Sequence, residues 1–296
     1  MSTPPSRAPL ARHLHGPLDD DSAPVLVLCH GITDSSACWV EAIERWTAAG
    51  YRIVALDARG HGDSPRWQAE DLVSQVAAGT RLATDLEEAL EDLRAHGLRP
   101  RPSDPPSAPL TAPVVLVGHS MGGVTSLDVA ARRPELVEAV IAEDPAFTNT
   151  AWKVLLRLNA PLLLREMREI AADPDAYFDA ELAANPTWSP RELRASVEAS
   201  CTVDTAFLSL GCVGPPTPWE EVVDGLSVPT LVMTGTGRVV LSAENLAALS
   251  GRRNPHIAVG VLAGAGHCVR RTYPERFHAL TDPWLERRLA GLAPAR

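Results

Sequence analysis

The sequence lacks the features that mark several classes of protein, and each absence excludes a function. It contains no block of basic residues, and its formal net charge is −10 over 296 residues, which argues against a nucleic-acid partner. No apolar run approaches the roughly 18 residues of a membrane-spanning helix, so we expect no membrane span. The N-terminal stretch MSTPPSRAPLARH also lacks the apolar segment of a signal peptide.

Cysteine is scarce, and its arrangement excludes two kinds of scaffold. The number is odd and no C-x-x-C pair occurs, so the sequence indicates neither a zinc site nor a disulfide framework. We expect free thiols in a reducing cytoplasm. The five positions are Cys29, Cys38, Cys201, Cys212 and Cys268.

Six apolar segments dominate the pattern along the chain. Hydrophobic residues make up 45% of the sequence, enough for a substantial core. The segments alternate with helical patterns, which predicts an α/β fold with a mainly parallel sheet covered by helices on both faces. The predicted strands are residues 24–31, 51–60, 114–118, 136–145, 229–235 and 256–264.

Two segments interrupt this alternation. The proline-rich residues 98–113 predict a surface loop. Residues 146–227 carry helical patterns without clear strands, and an insertion of this kind is typical of a lid over a site. We therefore expect an N-terminal arm over residues 1–10, a core made of residues 11–145 and 228–296, and a helical cap at 146–227.

In the last helix, near 274–291, we expect Pro283 to split the helix with Asp282 as the cap.

The pentapeptide GHSMG at 118–122 follows an apolar strand and opens a helix. This is the G-x-S-x-G pattern of a nucleophile elbow, in which a strained turn exposes a serine hydroxyl. Ser120 is then the nucleophile, and the N–H of Met121 points to a developing oxyanion. The alternative is a glycine-rich turn in which Ser120 only caps the helix.

An oxyanion hole needs a second donor, and CHGITDSS at 29–36 offers one. The loop follows the first predicted strand, so we expect the N–H of Ile32 to lie near Ser120 and to act together with Met121. His30 precedes the turn, and we expect it to be structural.

A general base is predicted in GAGHCV at 264–269, a glycine-rich loop after the last predicted strand. A histidine within hydrogen-bond reach of the serine suits this role because its pKa lies near neutrality. His267 is our candidate. His61, in DARGHGDS at 57–64, is a second histidine on a strand-end loop, but we expect it to hold its loop by hydrogen bonds.

Together these motifs resemble the α/β-hydrolase family. The resemblance implies a central parallel sheet, a helical cap and a catalytic chain order of serine, acid, histidine, which Ser120 and His267 fit. A serine nucleophile argues against the haloalkane dehalogenase and epoxide hydrolase branches, which use aspartate. The motifs that carry the resemblance are HG at 30–31, DARGHGDS at 57–64, GHSMGG at 118–123 and GAGH at 264–267.

The family's usual acid position is occupied by Arg238, within TGTGR after the strand that follows the cap. A minority of the family takes its acid from the end of the strand that precedes the cap, and this strand ends in VIAEDP. Asp144 is therefore our candidate for orienting His267. Glu143 is the alternative, although side chains alternate along a strand and it should face away. A dyad without an acid, or Glu244, remains open.

These residues indicate a serine hydrolase acting on a small apolar carboxylic ester or lactone, with no metal or organic cofactor. The aromatic residues of the cap suggest an apolar pocket, and Trp152, Trp188 and Phe147 are the candidate substrate-binding residues. The alternatives are C–C bond hydrolysis, acyl transfer, perhydrolysis, or a ligand receptor on the same scaffold. The oligomeric state, monomer or homodimer, stays open.

Overall fold

The computed structural model describes residues 8–101 and 103–290, and a seven-stranded sheet forms its centre. Along the sheet the strands follow the order β1-β3-β2-β4-β5-β6-β7, and all neighbours are parallel except β1 and β3. The predicted α/β fold with a mainly parallel sheet is confirmed. The strands are β1 (Arg12–His15), β2 (Val25–Cys29), β3 (Arg52–Leu56), β4 (Val114–His119), β5 (Ala139–Glu143), β6 (Thr230–Gly235) and β7 (Ile257–Leu262).

The strands β2–β6 are buried on both faces of the sheet, whereas the edge strand β7 exposes Val259 and Val261. Alternate residues of β2 enter two different core clusters, with Val25 and Val27 on one face and Leu26 and Leu28 on the other. A central parallel strand covered by helices on both sides needs this unbroken apolar run. The six apolar segments of the sequence are therefore the six parallel strands.

The edge strand β1 was missed because its sequence, RHLH, has no apolar run. It pairs antiparallel with β3, and one side of the strand has no neighbour in the sheet. The predicted N-terminal arm falls mainly on residues 1–7, which lie outside the described residues. At its end, Leu10 is buried.

Eleven helices are assigned within the described ranges. The first follows a short 3₁₀ turn at Ser36–Trp39. The helices are α1 (Val40–Ala48), α2 (Gln75–His96), α3 (Met121–Arg132), α4 (Thr150–Ala172), α5 (Pro174–Ala184), α6 (Pro190–Thr202), α7 (Thr205–Leu208), α8 (Trp219–Gly225), α9 (Ala243–Gly251), α10 (Val269–Thr272) and α11 (Pro274–Leu289).

The expected break at Pro283 is wrong, because α11 runs through it. The proline removes one backbone hydrogen bond, but Trp284 and Leu285 are buried directly after it, and this packing holds the helix together. Asp282 is not a helix cap. Its carboxylate accepts hydrogen bonds from Arg45 Nε (2.8 Å) and Trp46 Nε1 (3.1 Å), which ties α11 to α1.

Helices α4–α8 connect β5 to β6. The last of them, α8, packs against α3, and its Trp219 stacks on Phe147 with ring centroids 4.7 Å apart in the core beneath the sheet. Helices α4–α7 form a separate apolar cluster with Trp67 and Met121. Over residues 8–101 and 103–290, no helix has both the length and the apolar character that spanning a bilayer requires.

Close packing of α3 on β2 yields a first prediction. A Cβ added to Gly122 would overlap the backbone carbonyl of Cys29, which cannot move without disturbing the sheet. We expect Gly122→Ala to lower the free energy of unfolding by about 3 kcal/mol or more. Gly251→Ala is the matched control, since a Cβ there meets nothing within 4 Å. Urea unfolding measures both, and equal stability of the two variants would contradict the packing.

Candidate active site

Ser120 occupies a strained turn between β4 and α3. Its backbone has φ 53° and ψ −113°, a left-handed conformation that is costly for a residue with a Cβ. Two glycines make the turn possible, because a Cβ on Gly118 would overlap the backbone of Gly122. The turn is pinned by the Ser120 N–H, which donates to the carbonyl of Glu143 at 2.9 Å. This is the backbone geometry of a nucleophile elbow.

His267 connects Ser120 to Asp144. Its Nε2 lies 3.0 Å from Ser120 Oγ, and its Nδ1 lies 2.5 Å from Asp144 Oδ2. When Nδ1 carries the proton and donates it to the carboxylate, Nε2 is left as an acceptor for the serine hydroxyl. The arrangement is that of a nucleophile, a base and an orienting acid.

Asp144 is fully buried at the carboxyl end of β5 and has an unusual backbone, with φ 39°. Its carboxylate accepts hydrogen bonds from Thr234 Oγ1 (2.6 Å) and from the N–H groups of Val240 (2.8 Å) and Leu241 (3.1 Å). Burial raises the pKa of Asp144, but hydrogen bonds from His267 and Thr234 outweigh burial, and the net pKa lies below its ordinary value. The carboxylate is therefore ionised at neutral pH.

Glu143 points to the other side of β5. Its Oε2 lies 2.7 Å from Arg270 Nη1, and its Oε1 accepts the N–H of Arg270 at 2.7 Å. The guanidinium also lies 3.9 Å from the centre of the Trp39 ring. Burial raises the pKa of Glu143, but attraction to Arg270 outweighs it and the pKa is lowered. Glu143 is thus the ion-pair partner of Arg270, whereas the hydrogen-bond partner of His267 Nδ1 is Asp144.

The loop that carries Arg238 has a different function from the one its position suggests. Where an acid was expected, residues 236–241 turn so that the amides of Val240 and Leu241 hold Asp144. Gly237 N–H donates to the carbonyl of Ala265, which joins this loop to the one carrying His267. Glu244 is placed in the first turn of α9. The loop therefore supplies hydrogen-bond donors to the Asp144 carboxylate and no carboxylate of its own.

One candidate oxyanion donor, Met121, directly follows Ser120, and the other, Ile32, lies on the loop after β2. Met121 is the first residue of α3, where N–H groups have no partner within the helix. Ile32 lines the same cavity as Ser120. His61 braces the Ile32 loop, with its Nε2 2.6 Å from the Ile32 carbonyl and its Nδ1 3.0 Å from the carbonyl of Arg59. Burial lowers the pKa of His61 to about 4, so it is a neutral structural group.

A cavity of about 630 Å³ opens at Ser120 and His267. Trp188 lines it, as the sequence suggested, but Phe147 and Trp152 do not. Phe147 is only 1% exposed because it packs on Trp219 in the core, and Trp152 lies on the outer side of α4, 45% exposed. Both were wrong as cavity residues, since aromatic enrichment does not reveal which way a side chain faces.

Asp34, Ser196 and Arg271 are polar residues of the cavity that were not predicted from the sequence. Asp34 accepts from Arg271 Nη2 (2.8 Å) and from Ser196 Oγ (3.0 Å) of α6, which fastens α6 to the core. Arg238 also lines the cavity. The pair of arginines that follows His267 in HCVRR was the sequence signal for this network, because arginines next to a predicted active-site loop need acidic partners.

One group of potential metal ligands lies beside the site. Atoms of His119, Glu143 and Cys268 come within 4.8 Å of one another. However, the Arg270 guanidinium already neutralises Glu143, and it lies 3.0 Å from Cys268 Sγ. Burial raises the pKa of the Cys268 thiol to about 12. A fixed cation and a protonated thiol make this group a poor fit for a metal ion.

Comparison with known proteins identifies the family. The profile of the alpha/beta hydrolase family matches residues 26–280, and the chain belongs to this family. It is 27% identical over 270 residues to a 2-(acetamidomethylene)succinate hydrolase of Mesorhizobium japonicum, covering 86% of this chain and 85% of the relative. It is also 33% identical over 228 residues to a monoacylglycerol lipase of Mycolicibacterium smegmatis, covering 73% of this chain and 71% of the relative.

Solved structures support the same fold. A crystal structure of E-2-(acetamidomethylene)succinate hydrolase superposes with a TM-score of 0.69 at 21% identity and covers 94% of this chain and 95% of its own. The enol-lactonase of Burkholderia xenovorans superposes with a TM-score of 0.67 at 19% identity and covers 93% and 96%. The chain is thus a member of a family of hydrolases with the fold described above.

The Glu143–Arg270 ion pair provides a second prediction. Removing one partner of a buried pair leaves an uncompensated charge, so Arg270→Met should lower the free energy of unfolding by about 3–5 kcal/mol. Glu143→Gln combined with Arg270→Met should recover part of this loss. Arg191→Met, which breaks an exposed pair with Glu44, should leave the urea midpoint nearly unchanged. If Arg270→Met unfolds at the wild-type urea midpoint, breaking the Glu143–Arg270 ion pair does not lower the free energy of unfolding and the prediction is wrong.

Proposed function

We propose that this member of the family is a serine hydrolase that cleaves a carboxylic ester or lactone through an acyl-enzyme on Ser120. The observation that carries the proposal is the unbroken hydrogen-bonded series from Ser120 Oγ through His267 to Asp144, with distances of 3.0 and 2.5 Å. A weak nucleophile is activated when a base and an orienting acid are aligned behind it in this way.

The proposed reaction begins when Ser120 Oγ attacks the carbonyl carbon and His267 Nε2 takes the hydroxyl proton. The N–H groups of Ile32 and Met121 donate to the oxyanion of the tetrahedral intermediate. As the intermediate collapses, His267 returns the proton to the leaving alkoxide, and the alcohol departs. Water, deprotonated by the same His267, then attacks the acyl carbon. As this second intermediate collapses, the bond to Ser120 Oγ breaks, His267 returns the proton to Ser120, and the acid is released. Asp144 holds the imidazole in the productive tautomer and stabilises its cation.

We further propose that α4–α7 form a cap over the cavity and that the substrate is a medium-sized apolar ester or lactone. The cavity volume of about 630 Å³ lies in the range of small-molecule sites. Trp188 offers an apolar wall. Relatives named as a monoacylglycerol lipase and an enol-lactonase are consistent with ester and lactone bonds.

The same site supports other reactions of acyl groups. One relative is named as a 2-(acetamidomethylene)succinate hydrolase. The main alternative to ester or lactone hydrolysis is therefore hydrolysis of a different bond by the same site. C–C bond hydrolysis, acyl transfer and perhydrolysis use the same serine, and a ligand receptor would not need its reactivity.

A fluorophosphonate probe and a panel of p-nitrophenyl esters test this proposal. We expect Ser120 to be labelled and the esters to be cleaved, with the chain-length preference defining the acyl pocket. Ser120→Ala should abolish labelling and lower turnover by roughly 10⁴-fold or more. Ser126→Ala, which alters another serine of α3 that bonds within its own helix, is the control. Labelling without ester cleavage would favour the rival reactions, and a Ser120 that does not react would favour the receptor.

A further inference from the structure

Helix α4 exposes an apolar surface that the reaction does not use. Large hydrophobic side chains are rarely exposed in this chain, yet five of the most exposed ones lie within three turns of α4. The α4 face consists of Trp152 (45% exposed), Val154 (55%), Leu155 (46%), Leu158 (71%) and Leu162 (66%). Val73 and Val76, also exposed, lie beside it, since Gln75 Nε2 donates to the Lys153 carbonyl at 3.1 Å.

The α4 face lies opposite the side by which the helix is held. Ala160, Met167 and Ile170 are the buried residues of α4, and Met167 and Ile170 belong to the apolar cluster shared with the other helices of the segment. At 3.6 residues per turn, Val154, Leu155, Leu158 and Leu162 fall within an arc of about 100°, and Ala160 and Met167 lie on the opposite side of the helix. Trp152 lies about 60° beyond the Leu155 edge of this arc, at the same angle as Ile170. A helix that is apolar on two opposite sides is buried on both or meets a second apolar phase. Here only one side is covered.

Charge distinguishes this stretch from the rest of the protein. The chain carries a formal net charge of −10, but no acidic residue occurs from Thr150 to Arg165. Arg157 and Lys153 lie one turn apart, about 60° and about 100° around the helix from Val154 at one edge of the α4 face. The Lys153 ammonium donates to the carbonyl of Pro216 at 3.4 Å, and Arg157 is exposed. Neither forms an ion pair with any residue in the described ranges. Arg165 continues the basic stretch and pairs with Glu169 at 2.7 Å.

We propose that the α4 face docks onto the surface of an anionic lipid bilayer. Apolar side chains ending in tryptophan, bordered by lysine and arginine, match the acyl boundary and the charged headgroups of such a surface. A second copy of the chain is a poorer partner. If two α4 faces paired, Lys153 and Arg157 of each copy would meet the same stretch of the other copy. That stretch contains no carboxylate with which they could form an ion pair. The helix would lie on the membrane and not cross it.

Vesicle sedimentation tests the proposal with the full-length protein. We expect binding to vesicles of phosphatidylcholine and phosphatidylglycerol at low salt, and roughly tenfold weaker binding to phosphatidylcholine alone. Leu158→Ser with Leu162→Ser should weaken binding by roughly 100-fold, and Lys153→Gln with Arg157→Gln by roughly tenfold. Tryptophan emission should shift to the blue on binding, and Trp152→Phe should remove much of this shift.

Matched controls alter the same residue types elsewhere. Leu18→Ser replaces an exposed leucine outside the α4 face, and Arg101→Gln with Arg287→Gln removes two exposed arginines. Both should bind vesicles like wild type. The proposal is overturned if wild-type protein stays in the supernatant, or if the serine variants bind as well as the controls. A dimer in analytical ultracentrifugation that the serine variants dissociate would instead assign the face to a second copy. Binding is measured without turnover, so the result is separate from the test of ester hydrolysis.

Discussion

The hydrogen bond between His267 Nδ1 and Asp144 Oδ2 is the interaction on which the proposed chemistry depends. It fixes which nitrogen of the imidazole faces Ser120. It can form only because the carboxyl ends of β5 and β6 lie side by side in a parallel sheet, where Asp144 N–H donates to the carbonyl of Met233 at 2.7 Å. The acid position that the family resemblance implies follows β6, and the end of β5, which carries Asp144, lies directly beside it.

The two consecutive carboxylates of β5 have separate tasks because a strand directs neighbouring side chains to opposite faces. Asp144 faces the site, whereas Glu143 enters the opposite layer and pairs with Arg270, three residues after His267. The second arginine, Arg271, binds Asp34. Two buried ion pairs, Glu143–Arg270 and Asp34–Arg271, therefore anchor the residues that follow His267. Such pairs contribute little net stability, but loss of one partner leaves a buried charge uncompensated.

Much of this arrangement was predictable from the sequence, for reasons that differ from residue to residue. The six parallel strands were predicted because buried strands are continuous apolar runs, and Ser120 and His267 because glycine-rich turns after strands are distinctive. The polar edge strand β1 carries no such signal. The hydrogen bonds from the Val240 and Leu241 amides to Asp144 were not predictable either, because backbone donors have no sequence signature. Phe147 and Trp152 were misplaced because composition indicates that a segment is aromatic but not which side of a helix faces the cavity.

We propose that Asp144, and not a residue of the 236–241 loop or Glu143, orients His267. One-dimensional proton NMR tests it directly, because a histidine Nδ1 proton held by a buried carboxylate gives a resonance far downfield of the amide envelope. We predict that this resonance is present in the wild-type protein, is retained in Glu143→Gln and is lost in Asp144→Asn, where the amide favours the other tautomer. A resonance that survives in Asp144→Asn and disappears in Glu143→Gln would contradict the assignment.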